Sequence, residues 1–228
     1  MSRILDHLRG HLVVSCQPVV GGPLDRPEIA ARFALAALDG GARGLRIEGI
    51  DNLEAVRAVT DAPIIGLIKS DRTDTDVRIT ATVAEAQALA RTGADIVAFD
   101  ATDRPRPAAV AEIVAAIHAE GRLAMADCAT IAEGRAAAEA GCAIVGSTLS
   151  GYTGANVPDE PDFALVEALA GLGRFVIAEG RYNIPDYASR AIRAGADAVV
   201  VGSAITRPEH ITSWFVRAIA AAEADRRS

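Results

Sequence analysis

The chain has 228 residues, half of them hydrophobic, which is enough apolar material for one large α/β domain or two small ones. Its net charge of −7 argues against a general nucleic-acid-binding protein, which would present a basic face. Four histidines and three cysteines are scattered without CxxC spacing, so we expect no structural metal site and no disulfide framework. The charged N-terminal stretch MSRILDHLRG lacks the apolar core of a signal peptide, and no uncharged apolar stretch is long enough to span a membrane. These features predict a cytoplasmic protein that binds neither nucleic acid nor a membrane.

Eight short apolar runs follow one another along the chain, and each ends in polar residues. Strands that are buried on both faces of a parallel sheet have this pattern. In chain order the runs are HLVVSCQP, RGLRIEG, PIIGLIKS, ADIVAFDAT, RLAMADCA, AIVGSTLS, RFVIAEG and DAVVVGS. Alanine-rich segments of helical period lie between several of them and end near glycine, as in residues 27–41, 83–94, 108–121 and 184–196.

The junctions between these helices and strands recur at nearly constant spacing. Gly41, Gly93, Gly141 and Gly195 each precede an apolar run, at intervals of 52, 48 and 54 residues. Each interval holds two strand–helix units, which gives four such pairs over the chain. Eight units in this length predict a (β/α)8 barrel, or TIM barrel, as a single domain over residues 1–228. A doubly wound open sheet is the alternative, but it would have fewer strands, and the sequence lacks its GxGxxG fingerprint.

Polar residues at the ends of the predicted strands mark the place where chemistry is expected. Active sites of such barrels lie at the C-terminal ends of the strands. Burying many polar groups there is costly unless they pair with one another or with a ligand. From the first strand to the eighth these residues are Ser15, Gln17, Arg46, Glu48, Lys69, Asp100, Asp127, Ser147, Thr148, Glu179 and Ser203.

Lys69 is the only lysine in a chain whose other basic residues are all arginine. It ends an apolar run, whereas the arginines at positions 57, 91, 135 and 193 occupy predicted helix exteriors. A guanidinium stays protonated at any working pH, but a desolvated ammonium beside other cations can lose its proton. The sequence therefore predicts that Lys69 is a proton-transfer base or a Schiff-base nucleophile. A chance surface lysine is the alternative interpretation.

A second group of residues, after the seventh and eighth strands, predicts a phosphate site. Many barrels hold a phosphate between these two loops, against backbone N–H groups and a helix N-terminus. Gly180 and Gly202 would let the backbone approach an anion closely. Arg181 and Arg207 would add charge-assisted hydrogen bonds, and Ser203 would add a hydroxyl. We therefore expect a phosphorylated substrate.

The remaining candidates carry weaker signals. Cys142 is expected to be a small core thiol, and His210 a helix-surface residue. Arg104 is expected to pair within its own loop. Trp214 and Phe215, on the last helix, are expected to pack on the barrel or on a neighbouring subunit, which would make the protein a homodimer.

The strand-end motifs together resemble those of the N-acetylmannosamine-6-phosphate 2-epimerase family of bacterial sialic acid catabolism. The matching stretches run in order from near residue 14 to near residue 211, so that the resemblance covers most of the predicted barrel. They are VSCQP, LRIEG, IIGLIKSD, VRIT, DATDRPRP, MADC, GSTLSGYT, IAEGRYN and VGSAITRPEHI. So many motifs in register are more specific than any one of them alone.

The resemblance implies an isomerase that interconverts N-acetylmannosamine 6-phosphate and N-acetylglucosamine 6-phosphate without a cofactor. It implies that Lys69 and Glu179 are the acid/base residues and that Gln17, Arg46 and Asp127 bind the sugar. The phosphate residues that it implies are the same ones predicted above from the two loops.

The two sugars differ only in configuration at C2, next to the aldehyde carbon of the open-chain form. Removing the C2 proton gives an enolate, and returning a proton to the other face inverts the centre. The sequence leaves open whether Lys69 does both steps or shares them with Glu179. It also leaves open an imine-forming lyase and a barrel that binds a sugar phosphate without turnover.

Overall fold

The computed structural model describes residues 3–227, in which strands and helices alternate along most of the chain. The strands are β1 His11–Cys16, β2 Gly44–Glu48, β3 Ile64–Leu67, β4 Ile96–Asp100, β5 Leu123–Asp127, β6 Ile144–Gly146, β7 Phe175–Ala178 and β8 Ala198–Val201. The helices are α1 Arg3–Leu8, α2 Pro27–Asp39, α3 Ile50–Arg57, α4 Val83–Thr92, α5 Val110–Ala119, α6 Ile131–Glu139, α7 Phe163–Ala170, α8 Pro185–Arg193, α9 Ser203–Thr206 and α10 Pro208–Arg227.

The eight strands form one closed parallel barrel in sequence order. Val14 of β1 lies opposite Leu45 of β2 on one side and Val201 of β8 on the other, so no strand edge is left unpaired. Each of the eight predicted apolar runs contains one of these strands. The predicted (β/α)8 barrel is therefore confirmed, and the open sheet is wrong, because β8 pairs with β1.

The helix ends follow local sequence signals. Thr82 accepts a hydrogen bond from the backbone N–H of Glu85, and the Glu85 side chain accepts one from the backbone N–H of Thr82. Thr130 and Glu133 form the same reciprocal cap at the start of α6. The four evenly spaced glycines at 41, 93, 141 and 195 have φ of 99°, 112°, 102° and 100°, a conformation that favours glycine. The repeat found in the sequence is thus a repeat of one helix-ending turn.

Two apolar layers hold the barrel together. Side chains that point into the barrel, such as Leu67, Met125 and Val200, fill its interior. Leu5 and Leu8 of α1 pack against the same interior cluster, so α1 covers the N-terminal end of the barrel. The outer faces of the strands pack against α2 to α8. The C-terminal end, where the polar residues lie, is left as the accessible end.

Helix α10 differs from the other long helices because none of its side chains is buried. Phe215, Val216 and Ile219 are 67%, 59% and 70% exposed. This apolar face is the surface for which the sequence predicts a second subunit. Within residues 3–227 no helix is both long and apolar enough to cross a bilayer.

Candidate active site

A cavity of about 790 Å³ opens at the C-terminal end of the barrel. Nine of the ten residues predicted from the sequence to form the site line it: Gln17, Arg46, Lys69, Glu179, Gly180, Arg181, Gly202, Ser203 and Arg207. The tenth, Asp127, has no exposed surface and lies behind Arg46. Its predicted contact with the sugar therefore stays a prediction, whereas its contact with Arg46 is observed.

Arg46 and Asp127 form a buried ion pair across the barrel interior. The Arg46 side chain is 1% exposed and that of Asp127 is fully buried. Nη2 of Arg46 donates to Oδ2 of Asp127 at 2.6 Å, and Nη1 donates to Oδ1 at 3.3 Å. Burial disfavours the charged guanidinium, but the two carboxylates, Asp127 and Glu179, outweigh it and raise the pKa of Arg46. Arg46 is thus a fixed cation in the floor of the cavity.

Glu179 follows the last residue of β7 and projects beside this pair. Its Oε1 lies 3.2 Å from Nε of Arg46, and its side chain is 14% exposed. Ser147 holds the Glu179 backbone, because its hydroxyl donates to Glu179 O and accepts from Glu179 N. Burial raises the pKa of the carboxyl to about 7, with Asp127 raising it further and Arg46 and Lys69 opposing. Glu179 can therefore carry or release a proton near neutral pH.

Lys69 lies two residues beyond β3, where it pairs with Ile79 in an isolated antiparallel bridge. Nζ of Lys69 donates to Oε1 of Gln17 at 2.6 Å, and Nε2 of Gln17 donates to Oγ of Ser15 at 2.8 Å. The hydroxyl of Ser15 thus fixes the orientation of the Gln17 amide, so that its oxygen faces the lysine. As a result, the ammonium of Lys69 is held at the cavity wall, against Gln17.

The pKa of Lys69 is lowered to about 8, mainly because protein atoms displace water around the ammonium. The charges of Arg207 and Arg46 lower this pKa further, while Glu179 and Glu48 partly oppose them. Much of the Lys69 residue is exposed at the cavity wall, so that water screens part of this effect. A fraction of the lysine is nonetheless neutral near physiological pH, and only a neutral amine can act as a base.

The predicted phosphate residues form one side of the cavity. Arg207 donates from Nε to the carbonyl oxygen of Gln17 at 2.7 Å. Arg181 has a positive φ of 64° and donates to the carbonyl oxygens of Glu160 and Ser150 at 2.8 and 2.6 Å. These bonds fix both guanidinium groups where the backbone turns at Gly180 and Gly202.

The cavity is cationic although the chain as a whole is acidic. Six arginine and lysine side chains line it, against three carboxylates, while the whole chain has a net charge of −7. Fields of one sign in a concave site concentrate ligands of the opposite charge. The cavity is therefore suited to an anionic ligand.

Several lining residues were not predicted from the sequence. Arg78 reaches the cavity because the segment after Lys69 turns back in the antiparallel bridge. His210 and Trp214 also line the cavity, although the sequence predicts no role in the site for them: α10 begins directly after α9, at the cavity mouth. Arg104 pairs with Asp100 at 2.6 Å, as predicted, and also lines the cavity.

The three cysteines are buried and take no part in the cavity. Burial raises the pKa of Cys16 and Cys142 to about 12, and raises that of Cys128 well above its usual value. Buried thiols of this kind are poor nucleophiles. Within the described part of the chain, no group of histidine, cysteine, aspartate and glutamate side chains is arranged to hold a metal ion.

Removing Asp127 tests the importance of the buried ion pair. We expect Asp127→Ala to lower the free energy of unfolding by about 3–5 kcal/mol, because the Arg46 cation would lose its main partner while still buried. Urea unfolding at neutral pH measures the change. Arg226→Ala, which removes an ion pair with an 81% exposed arginine, is the control and should change stability by less than about 1 kcal/mol. Equal stability of the two variants would show that the pair is dispensable.

Comparison with known proteins gives a consistent result. A family model described as "NanE: Putative N-acetylmannosamine-6-phosphate epimerase" matches residues 30–221. A protein of Actinobacillus pleuropneumoniae serotype 5b (strain L20), named "Putative N-acetylmannosamine-6-phosphate 2-epimerase", is 54% identical over 97% of both chains. A protein of Escherichia coli (strain K12 / DH10B) with the same name is 56% identical over 90% of both chains.

Solved structures agree with these sequence matches. The N-acetylmannosamine-6-phosphate 2-epimerase from Clostridium perfringens is 42% identical and has a TM-score of 0.92, covering 95% of this chain and 96% of that one. A thiamine phosphate pyrophosphorylase from Pyrococcus furiosus, 18% identical with a TM-score of 0.62 over 92% of both chains, shares the fold alone. Because the family model spans most of the chain and relatives are more than half identical over nearly their full length, this chain belongs to the NanE family of N-acetylmannosamine-6-phosphate epimerases.

Proposed function

We propose that this chain interconverts N-acetylmannosamine 6-phosphate and N-acetylglucosamine 6-phosphate by removing and returning the proton at C2. One observation carries the proposal: two groups with pKa values near neutrality, Lys69 and Glu179, lie in one cationic cavity at the C-terminal end of the barrel. Family membership supports the substrate, because the relatives are named for this phosphorylated amino sugar.

The chemistry begins with the open-chain sugar, whose C1 aldehyde makes the C2 proton weakly acidic. Lys69 in its neutral form takes this proton, since its lowered pKa leaves part of the amine uncharged. The electron pair of the broken C–H bond then forms the C1–C2 double bond of an enolate. The fixed cation of Arg46 in the cavity floor stabilises the negative charge that develops on oxygen.

Glu179 supplies the second proton. In a ring of eight strands β3 and β7 lie opposite each other, so Lys69 and Glu179 approach a sugar at the barrel axis from two sides. Protonated Glu179 returns a proton to the face of C2 away from the lysine, and the centre inverts. The reverse reaction uses the same two groups with their protonation states exchanged.

The phosphate anchors the substrate at the far side of the cavity. Gly180 and Gly202 let the backbone approach an anion, while Arg181, Ser203 and Arg207 contribute charge and a hydroxyl. Binding the phosphate holds C2 near the two acid/base groups, which lowers the entropic cost of the reaction. Gln17 and Arg46 contact the sugar between these two regions.

We place the reaction in amino-sugar and sialic acid catabolism in the cytoplasm. A doubly charged sugar phosphate does not cross a lipid bilayer unaided, so it is consumed in the compartment in which it is made. Three buried free thiols agree with a reducing compartment.

We also propose that the protein is a homodimer in which the apolar face of α10 is covered by a second copy. Sedimentation should give about twice the chain mass of 23.6 kDa. Replacing Phe215 and Ile219 by glutamate should give single chains, because charge would be placed on the 67% and 70% exposed apolar positions. A wild-type protein that sediments as a single chain at every concentration would rule this dimer out.

The reaction itself is tested by proton NMR in D2O with N-acetylmannosamine 6-phosphate. We expect the gluco epimer to accumulate with deuterium at C2 for the wild type. For Lys69→Arg we expect a loss of at least about a hundredfold in rate, because a guanidinium stays protonated and cannot act as a base. Arg226→Ala, far from the cavity, serves as the control and should epimerise at the wild-type rate.

Three results of this experiment would contradict the proposal in different ways. An unchanged sugar that keeps its C2 hydrogen would exclude epimerisation. Retention of the original hydrogen in the product would show that one group performs both transfers, in place of Lys69 and Glu179 together. Inactivation by borohydride with substrate bound would indicate an imine on Lys69, as in a lyase.

The pH dependence of kcat/KM follows from the two pKa values. The active forms carry one proton between Lys69 and Glu179, so activity is lost below about 7, where both are protonated, and above about 8, where both are deprotonated. We expect a bell-shaped profile with its maximum between these values in both reaction directions. A profile that stays flat from pH 5 to pH 10 would contradict this assignment.

A further inference from the structure

Thr148 lies between the two buried carboxylates of the site, two residues beyond the end of β6. Its Oγ1 is 2.7 Å from Oδ1 of Asp127 and 3.3 Å from Oε2 of Glu179. The residue is 9% exposed, at the wall of the cavity. Nothing in the mechanism described above uses this side chain.

Thr148 has too few hydrogens to donate a hydrogen bond to both carboxylates at once. A threonine hydroxyl has a single hydrogen, and an ionised carboxylate can only accept. When that hydrogen points to Asp127, at the shorter distance, Oε2 of Glu179 faces a lone pair of Thr148. This arrangement is favourable only if Glu179 carries a proton and donates it to Oγ1.

Among the described residues no other side chain forms a hydrogen bond that would remove this requirement. Nε of Arg46 lies 3.2 Å from Oε1 of Glu179 but is not aligned for a hydrogen bond. Ser147 bonds to the backbone of Glu179, and the bond from Thr148 is the one that reaches its carboxyl group. The state of Glu179 and the direction of the Thr148 hydroxyl are therefore linked.

We propose that Thr148 is a hydrogen-bond switch that couples the protonation state of Glu179 to the buried Arg46–Asp127 ion pair. With Glu179 protonated, its O–H donates to Thr148 and the Thr148 hydroxyl donates to Asp127. With Glu179 ionised, the hydroxyl turns and donates to Glu179, while Asp127 keeps the two bonds from Arg46. Thr148 neither gains nor loses a proton, and is a positioning residue that acts through Glu179.

The charged groups that face Glu179 make this switch consequential. Arg46 on β2 and Lys69 after β3 favour its ionised form, whereas burial and Asp127 on β5 favour its protonated form. Burial and Asp127 outweigh the two cations and raise the pKa of Glu179 to about 7, so that its protonated and ionised forms have similar populations near neutral pH. One hydrogen bond that changes direction is then enough to move the balance between the two states.

For catalysis the inference rests on the proposed function, in which Glu179 must exchange a proton in each turnover. A hydroxyl that can donate or accept offers Glu179 a hydrogen bond in both states. In the ionised state Oδ1 of Asp127 loses the bond from Thr148 but keeps the one from Nη1 of Arg46. An apolar side chain in its place would serve neither. Because a hydrogen bond to a charged acceptor contributes more than one to a neutral group, its loss should favour protonated Glu179.

The test compares Thr148→Val, which removes the hydroxyl, with Thr148→Ser, which keeps it. Two titrations are measured for each variant. The first is the pH profile of kcat/KM. The second follows, in the protein without substrate, the infrared band of the protonated Glu179 carboxyl group, which is assigned by its absence from Glu179→Gln. For Thr148→Val we expect the acidic limb of the kcat/KM profile and the titration midpoint of the infrared band to move to higher pH by about one unit. For serine we expect both to stay within a few tenths of the wild type.

Thr92→Val is the matched control, because its hydroxyl bonds only to the carbonyl of Ala88 at the end of α4. It should leave both titrations unchanged, and near-ultraviolet circular dichroism checks that each variant is folded. Wild-type titrations in Thr148→Val, or equal shifts in the valine and serine variants, would overturn the switch. If neither the wild type nor any variant epimerises the sugar, but the titration of the infrared band shifts as expected in Thr148→Val, the proposed function fails and the switch stands.

Discussion

The ion pair between Arg46 and Asp127 is the interaction on which the rest of the site depends. Removing two charges from water costs several kcal/mol per ion, and only close, multiple hydrogen bonds offset that cost. The pair meets this condition with two bonds, at 2.6 and 3.3 Å. The partners come from β2 and β5, which are three strands apart in the ring, so the bonds form only when the barrel is closed. The charge at the centre of the cavity is thus a product of the fold.

Burial is the main influence on the pKa values of the two proposed acid/base groups, and this buried cation modifies both. It lies between two carboxylates and bonds firmly to one of them, so that it only partly opposes the burial that raises the pKa of Glu179 to about 7. The same positive charge, together with Arg207, disfavours the ammonium form of Lys69. Arg46 thus lowers the pKa of both groups. Burial acts on them in opposite directions, raising the pKa of Glu179 and lowering that of Lys69, so that the two values lie about one unit apart.

The sequence was sufficient to predict the barrel and most of the cavity, because both follow from local patterns. Apolar runs and evenly spaced glycines define strand–helix units, and a parallel barrel necessarily gathers the strand ends in one place. Residues outside the strand ends escaped prediction. Arg78 enters the cavity through a long segment that turns back, and His210 and Trp214 enter because α10 starts at the mouth. Neither path has a local signature. Nor did any pattern show that Asp127 would be hidden behind Arg46, which depends on contacts between distant strands.

The single lysine of the chain is best understood from its position at the edge of the barrel. A lysine deep among the strands would be neutral at all times, and one on a helix exterior would be charged at all times. Lys69 lies between these limits: its residue is partly open to water, yet its ammonium is held at Gln17 beside two arginines. Its pKa of about 8 is close to the value of about 7 for Glu179, so a proton rests on either group with comparable ease. The proposed two-group epimerisation needs this near equality, because in it each group is the acid in one direction and the base in the other.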